Sequence, residues 1–410
     1  MKIIFKLTFK NLWYSRTRSL LSYLCVTLTV IFITIVCSMS FSVIDYLKSV
    51  NMAIDIFETI FRLSKGVIYL GIILGLFMIY SIISTRFNEK HKFLAYLTSL
   101  GASRSQKCAI LFIETLTYLF CGIIFGIPIG VFCGQFFYNL GVNIISSYVA
   151  ADIGKFIFTY DSVWVSIAIC FFATALGSII PIIKISKLSV LDSLNGRNKI
   201  NISLKQGFIS SVTERMFGRI GKLAGQNYYN YKSNYRLIAM SLSCGTIFFI
   251  ASYCFFMYPI RWYEERGYSP EPMFYSLLYL SIILSAMVIF IFSICSFGCI
   301  EINIQQRKRE FAMLKSIGFH NSQIFQMMGI ESIFLILYIL FYSFLGSLLV
   351  DYTICSFFRA TEVSFLKFWF PVEVFLLFVL FDVVIGAIFA ICSILNIKKL
   401  NIIENLKNKE

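Results

Sequence analysis

The chain has 410 residues, of which 58% are hydrophobic and only 14% are charged, and 44 of them are phenylalanine. This composition excludes an ordinary soluble domain, in which about 25% of the residues are charged. The net charge of +15 could suit a nucleic-acid-binding protein. However, the basic residues lie in clusters between long apolar runs, which is typical of the loops of a membrane protein. We therefore expect an integral membrane protein that binds no nucleic acid.

Eight apolar stretches are long enough to cross a bilayer, which takes about 20 residues of helix. In chain order they lie near residues 19–43, 66–85, 108–140, 161–183, 236–258, 274–299, 324–350 and 369–396. The third is longer than a bilayer requires, so we expect it to extend beyond the lipid. The sequence therefore predicts an all-α, polytopic membrane protein.

The distribution of lysine and arginine predicts the orientation. Both termini and three alternate loops hold 28 of the 36 basic residues, and the four remaining loops hold eight. Cytoplasmic loops carry the excess of basic residues, so both termini are predicted to lie in the cytoplasm. The external loops are too short to hold a folded domain.

Motifs for nucleotide or metal chemistry are missing from the sequence. The phosphate-binding pattern GxxxxGK[ST] does not occur, and the chain has only two histidines and no HExxH. Most of the 12 cysteines lie inside apolar runs without a CxxC pair, as expected of small core residues. We predict no catalytic residue, no metal and no cofactor, so any ATP must be bound by another chain.

One short stretch occurs twice. Each copy predicts an amphipathic helix ended by a glycine, Gly101 or Gly318, before the next apolar run. Asn321 or Ser322 is expected to cap the helix after the second copy. At a constant offset of 217 residues, Leu94, Leu97, Leu100, Gly101, Ser105, Gln106 and Glu114 correspond to Phe311, Leu314, Ile317, Gly318, Ser322, Gln323 and Glu331.

A match of this length indicates an internal duplication. We predict a first four-helix unit at residues 1–196, a cytoplasmic linker at 197–223 and a second four-helix unit at 224–410. Two such units in parallel orientation imply a pseudo-two-fold axis along the membrane normal. The predicted fold class is therefore all-α, with eight transmembrane helices in two tandem four-helix units.

At the duplicated stretch the chain resembles the FtsX-like permease family of ABC transporters. The family pattern R-x-R-E-[FI]-x-x-L-[KR]-[AS]-[IL]-G is matched by Arg307, Arg309, Glu310, Phe311, Leu314, Lys315, Ser316, Ile317 and Gly318. An exit motif of a proline, a basic residue and a final leucine is matched by Pro181, Lys184 and Leu194. Where the second copy has Glu310, the first has Phe93.

The resemblance implies a permease subunit in the cytoplasmic membrane of a bacterium. It would bind two copies of a cytoplasmic ATPase and move an amphipathic peptide or lipid, with an antimicrobial-type peptide favoured, while contacting membrane lipid. The alternative is a relay that transports nothing and regulates an external partner such as a cell-wall hydrolase. The residues implied to contact the ATPase are those of the pattern from Arg307 to Gly318, together with Leu94, Leu97, Leu100 and Gly101.

Three acids and one row of glycines remain open to two interpretations. Glu114 and Glu331 lie about two turns into their spans. They either form structural caps or ion pairs with basic residues of the entry segments, or make contacts that pass motion into the helix. Asp382 is the only acid deep inside a predicted span, where a carboxylate costs about 2.5–3.5 kcal/mol, and it serves structure or lines a cargo path. Glycines recur every fourth residue from Gly122 to Gly134. This face of the helix either packs statically against a neighbouring helix or slides along it.

Overall fold

The computed structural model describes residues 6–8, 10–12, 16–49, 54–146, 156, 158–186, 208–269, 272–360, 367–381, 383–384 and 387. The chain is helical in most of these ranges, and no strand occurs within them. The numbered helices are α1 (Arg16–Ser49), α2 (Ile54–Glu89), α3 (His91–Ser99), α4 (Arg104–Ser146), α5 (Tyr160–Ser186), α6 (Phe208–Glu265), α7 (Pro272–Gln306), α8 (Lys308–Ser316) and α9 (Asn321–Ala360).

Six helices contain a stretch that is long and apolar enough to cross a membrane. These stretches are Ser19–Ser42, Arg104–Asn143, Tyr160–Ile179, Tyr235–Glu265, Ser281–Glu301 and Asn321–Arg359. The other two predicted spans, near 66–85 and 369–396, coincide with shorter apolar helical stretches at Gly71–Phe87 and Val372–Phe381. The chain is thus a polytopic α-helical membrane protein, and the count of eight spans stays a prediction.

The two halves of the chain meet through corresponding residues. Phe32 on α1 packs edge to face against Phe248 on α6, with the ring centroids 5.5 Å apart. Ahead of the first apolar run of each unit, Asn11 and Asn227 correspond at an offset of 216 residues, one less than in the duplicated stretch, and Phe32 and Phe248 share this offset. A residue can contact its own counterpart only near the axis that relates the two units, so this contact agrees with the predicted pseudo-two-fold axis. Nearby, the Ser81 hydroxyl donates to the Leu237 carbonyl oxygen at 2.9 Å and ties α2 to α6.

The first seam, between α1 and α4, depends on the row of glycines. A Cβ added at Gly130 would lie 1.6 Å from the Thr34 hydroxyl oxygen, and one at Gly134 would lie 2.1 Å from that of Ser38. Because these positions lack a side chain, the two helices approach within backbone contact. Helix α4 has 43 residues, or about 64 Å of helix, which exceeds the bilayer core of about 30 Å as expected.

The second seam, between α6 and α9, matches the first in place but differs in chemistry. Ser343 and Ser347 occupy the positions of Gly126 and Gly130, and both are fully buried. The Thr246 hydroxyl on α6 donates to the Ser343 hydroxyl at 3.0 Å. Hydrogen bonds between side chains therefore join α6 to α9, whereas the first seam rests on close backbone packing.

Helix α9 is longer than the sequence predicts. It continues to Ala360, through the first part of a segment expected to be a loop, and so places Asp351 inside a helix. Asp351 is completely buried, and the Tyr258 hydroxyl on α6 lies 2.9 Å from its Oδ1 atom. The sequence predicts that the apolar run ends at this acid. The helix instead continues past it, and a hydroxyl group on a neighbouring helix contacts one of its two oxygens.

Helix α6 begins at Phe208, inside the segment predicted as a linker, and reverses direction at Gly218, where φ is 64° and ψ is −148°. This backbone conformation favours glycine. Residues 208–217 fold back on the rest of α6, where a Cβ added at Gly221 would lie 2.1 Å from the Thr213 carbonyl oxygen. The start of α6 is therefore a short helical hairpin at the same end of the bundle as α3 and α8.

Candidate functional site

Helices α3 and α8 are the two copies of the duplicated stretch, and they have the same local structure. Each is nine residues long and is followed by a glycine with positive φ, 88° at Gly101 and 101° at Gly318. After the glycine, the backbone N–H of Ala102 donates to the Leu97 carbonyl and that of Phe319 to the Leu314 carbonyl, at 2.9 and 3.0 Å. The predicted helix and glycine cap are therefore present in both copies.

The residue at the start of the following helix differs from the expectation. Ser103 and Gln106 form a reciprocal capping box before α4, in which each backbone N–H donates to the side chain of the other residue. His320 occupies the place of Ser103 before α9, where its backbone N–H donates to the Gln323 side chain at 2.9 Å. Helix α9 begins at Asn321, as predicted, but the residue that caps it is His320 and not Asn321 or Ser322.

The predicted apolar face of each copy is divided between two environments. Leu94 and Phe311 are 3% and 1% exposed and pack into the protein's own core. Leu97 and Leu314 are partly buried against the same cores. By contrast, Leu100 and Ile317 are 83% and 77% exposed, and the exposed large side chains on α3 and α8 also include Tyr96 and Met313. Tyr96 and Met313 also correspond at the offset of 217, so both copies present the same surface.

A buried ion pair lies directly behind α8. Arg307, the residue before this helix, contacts Glu331 on α9 through two parallel hydrogen bonds of 2.5 and 3.0 Å, and both side chains are almost fully buried. The Tyr235 hydroxyl and the Asn227 amide on α6 also donate to the Glu331 carboxylate, at 2.6 and 3.2 Å. Burial acts to lower the pKa of Arg307, but Glu331, Tyr235 and Glu310 together outweigh it and raise that pKa well above its ordinary value.

Glu310 extends this network onto α8 itself. The Arg307 Nε atom donates to the Glu310 carboxylate at 3.3 Å, and the Tyr231 hydroxyl on α6 donates to the same carboxylate. Burial raises the pKa of Tyr231, and the negative charge of Glu310 raises it further, so this hydroxyl keeps its proton. Six described polar side chains thus connect α6, α8 and α9 in one network, with the Arg307 guanidinium also 4.6 Å from the Tyr231 ring centroid.

The first unit contains a matching pair with different neighbours. Lys90 occupies the place of Arg307 at the offset of 217 and forms a buried ion pair with Glu114 on α4. Arg86 adds a second cation 3.8 Å from Glu114, and Tyr118 donates to the same carboxylate at 2.6 Å. The first cluster therefore has two cations around one acid, whereas the second has two acids around one cation.

The described residues answer some site predictions and leave others open. Glu114 and Glu331 lie in ion pairs with the residues before α3 and α8, an arrangement that both interpretations allow, so their role stays a prediction. Lys90 and Arg86 were not singled out as partners of Glu114, although Lys90 shares the offset that revealed the other pairs. Arg309 lies on α8, but its side chain, like the whole of Asp382, is outside the described residues, so their predicted roles stay predictions.

A cavity of about 50 Å³ lies beside the second ion pair, large enough to hold water. Arg307, Glu331, Tyr235 and Ser332 contribute the polar part of its wall, and apolar residues of α6, α7 and α9 form the rest. Space next to a buried ion pair lets the pair move without first displacing packed side chains. Among the described residues, no cluster of histidine, cysteine or acidic groups could hold a metal ion.

The architecture defines a class of protein: a polytopic membrane protein of two repeated helical units, each with a short helix outside its bundle and a buried ion pair behind it. The family model described as FtsX-like permease C-terminal matches residues 65–190 and 282–402. Each match contains one of the short helices with its ion pair. The chain belongs to the FtsX-like permease family, whose members are membrane subunits that work with ABC ATPase partners. Comparison with the curated proteins and with the solved structures gave no match.

Proposed function

We propose that this protein is the permease subunit of an ABC transporter that couples a separate cytoplasmic ATPase to the export or extraction of an amphipathic peptide or lipid. The observation that carries the proposal is the repeated arrangement at α3 and α8. Both helices are exposed on one side and connected on the other to a buried ion pair that reaches a long membrane helix.

The exposed side chains of α3 and α8 form the docking surface for the ATPase. Leu100 with Tyr96, and Ile317 with Met313, offer two apolar surfaces of the same design. Covering apolar surface is favourable by about 25 cal/mol per Å². Two matching surfaces on one chain suit two identical ATPase subunits, so the complex contains one permease and two ATPases. The basic loops support a location of both surfaces and both chain termini on the cytoplasmic side, in what we propose is a bacterial plasma membrane.

The ion pairs carry motion from the docked helices into the membrane. When the ATPase moves α8, Arg307 moves with it, because it precedes the first residue of that helix. Removing one partner of a buried ion pair costs about 3–5 kcal/mol. Glu331 therefore follows Arg307, and α9 moves with α8. Lys90 and Glu114 connect α3 to α4 in the same way.

The experiment that tests this proposal is co-purification of the permease with an ABC ATPase encoded beside it, together with measurement of ATP hydrolysis. The double variant Leu100→Asp/Ile317→Asp should lose the ATPase while the amount of membrane-inserted permease stays unchanged. Tyr268→Asp is the matched control, because Tyr268 is 65% exposed in the loop at the opposite end of the bundle. Retention of the ATPase by the double variant would contradict the proposed docking surface.

The same preparation separates transport from the alternative of a mechanical relay. A transporter subunit should move an amphipathic cargo in reconstituted vesicles in an ATP-dependent manner, without any external protein. A relay would hydrolyse ATP with no such movement and would need an external partner. The short loops at the end opposite α3 and α8 favour the transporter.

A further inference from the structure

The two seams differ most at the end opposite α3 and α8. The glycine row of α4 ends at Gly134, and the residue at the matching place on α9 is Asp351. Asp351 follows Glu331 by 20 residues, or about 30 Å along the helix, so it lies far from the ion pair. The duplication has thus kept a packing glycine in one half and placed a completely buried carboxyl group in the other.

The hydrogen bonds around Asp351 identify its protonation state. The Tyr258 hydroxyl lies 2.9 Å from Asp351 Oδ1 and 3.3 Å from the Trp369 carbonyl oxygen. A hydroxyl has one proton to donate and a backbone carbonyl can only accept. One proton can satisfy both contacts only when Tyr258 donates to the Trp369 carbonyl and accepts the acid proton of Asp351, with the 3.3 Å contact as the weaker hydrogen bond. In addition, Oδ2 of Asp351 has no nitrogen or oxygen partner among the described residues, and the Cys254 thiol that faces the carboxyl group is a weak donor. Burying a charged oxygen without a strong donor is costly. Asp351 is therefore a neutral carboxylic acid in this conformation.

Among the described residues, the groups that face Asp351 do not supply a permanent counter-ion. Tyr258 and Cys254 face it from α6, and Cys355 lies one turn further along α9. Arg261, one turn along α6 from Tyr258, is engaged elsewhere, because its guanidinium lies 3.8 Å from the Trp369 ring centroid. The ion pairs between described residues do not include Asp351. The acid proton, rather than a neighbouring cation, thus neutralises this carboxyl group.

The core around Asp351 is unusually aromatic. Tyr258 belongs to a cluster whose other aromatic members include Phe249, Tyr253, Trp262, Phe358, Phe370, Phe375 and Phe378. Aromatic faces attract organic cations, more strongly when water is excluded. Two arginines already use such faces at this end of the bundle, Arg261 over Trp369 and Arg266 over Trp262. A carboxyl group inside an aromatic enclosure has the chemistry of a site for a hydrophobic organic cation.

We propose that Asp351 and the aromatic side chains around Tyr258 form an occluded binding site for the charged group of a hydrophobic organic cation, which exchanges with the acid proton of Asp351. When the cation binds, the O–H bond of Asp351 breaks, the proton leaves to solvent and the carboxylate pairs with the cation. The net charge of the site is unchanged. Access requires α9 to move away from α6 at this end, where side-chain hydrogen bonds hold the second seam. The proposal goes beyond the proposed function and needs no ATPase.

The test uses the purified full-length permease in lipid nanodiscs and the probe tetraphenylphosphonium, with empty nanodiscs to subtract partition into lipid. Binding is measured by calorimetry and by quenching of tryptophan fluorescence. Tetraphenylborate is the matched probe, because it has nearly the same shape and the opposite charge. The wild-type protein should bind the phosphonium saturably and release about one proton for each bound cation. At pH values below the midpoint of the Asp351 titration, the affinity should rise about tenfold for each unit by which the pH increases. The reason is that the ionised fraction of an acid rises by the same factor in that range.

Asp351→Asn should weaken phosphonium binding at least tenfold and abolish both the proton release and the pH dependence. Asp161→Asn is the control, because Asp161 is an exposed acid at the same end of the first unit, and it should bind like the wild type. Asp351→Glu retains a carboxyl group and should keep proton release and pH-dependent binding. Equal melting temperatures of the wild type and Asp351→Asn exclude a general loss of folding in the Asp351 variant. Equal binding by the wild type and Asp351→Asn, equal binding of the two probes, or no saturable binding at all would overturn the proposal.

Discussion

Arg307 and Glu331 form a bidentate, buried ion pair that joins the start of α8 to the membrane helix α9. Lys90 and Glu114 repeat the pair between α3 and α4 at the same spacing. A buried ion pair is a poor device for stability alone, because the cost of removing both charges from water offsets much of their attraction. Its presence in both units, directly behind an exposed helix, fits a role in transmitting force.

Glu114 and Glu331 should differ in how much each contributes to the stability of the folded protein. Glu114→Gln removes the carboxylate that both Lys90 and Arg86 contact, whereas Glu331→Gln leaves Arg307 beside Glu310. Uncompensated buried charge costs about 3–5 kcal/mol, so we expect the larger fall in melting temperature for Glu114→Gln. Thermal denaturation of the purified variants measures the difference. Equal losses would show that the neighbouring charges do not compensate.

Force transmission can be separated from folding by removing both charges together. Replacement of a buried ion pair by apolar residues is often neutral for stability, so Arg307→Met/Glu331→Met should fold better than Arg307→Met alone. We expect the double variant to bind the ATPase normally but to lose most of the stimulation of ATP hydrolysis by cargo. Wild-type stimulation in the double variant would remove the ion pair from the coupling route.

The hydroxyl of Tyr231 should matter for coupling and not for assembly. Tyr231→Phe deletes one hydrogen bond to the charged Glu310 carboxylate, and such a bond contributes about 1.5–3 kcal/mol. Cargo-stimulated ATP hydrolysis should fall several-fold while ATPase binding is retained. Tyr229→Phe is the matched control, because Tyr229 lies two residues away on α6 and is 42% exposed. A comparable loss in both variants would assign the effect to the helix rather than to the bond.

The two seams should respond differently to a methyl group at matching positions. Gly130→Ala places a carbon 1.6 Å from the Thr34 hydroxyl oxygen and 3.1 Å from the Ile31 carbonyl oxygen, and such overpacking costs about 1–3 kcal/mol. Ser347→Ala removes a hydroxyl that bonds within its own helix, and should cost about 1 kcal/mol or less. Melting temperatures of the two variants test this order. The reverse order would mean that the first seam is loosely packed.

The duplication allowed much of this fold and site to be predicted from the sequence. The offset of 217 revealed the two short helices, their glycine caps and the two acids, because all of these depend on local spacing. Periodicity also predicted that Phe311, Leu314 and Ile317 share a helix face. It could not tell which of them meets the protein's own core, because that depends on where α7 and α9 lie.

The seams show a second limit of sequence reasoning. Asp351 was expected in a loop because a charged residue usually ends a membrane span. Its burial depends on Tyr258, which lies 93 residues earlier in the chain. The pairing of Lys90 with Glu114 was within reach, since Lys90 stands at the offset that connects the other copies. The contact of Arg86 with Glu114 could not be predicted in this way, because the residue that corresponds to Arg86 in the second unit is Asn303.

The central claim is that the ATPase docks on α3 and α8. The most direct measurement places the photo-reactive residue benzoylphenylalanine at position 100, 317 or 268 in turn and illuminates the complex in membranes. The account predicts that the ATPase is cross-linked from positions 100 and 317, and not from position 268 at the opposite end. Cross-linking from position 268, or its failure at both 100 and 317 in a complex that co-purifies, would contradict the account.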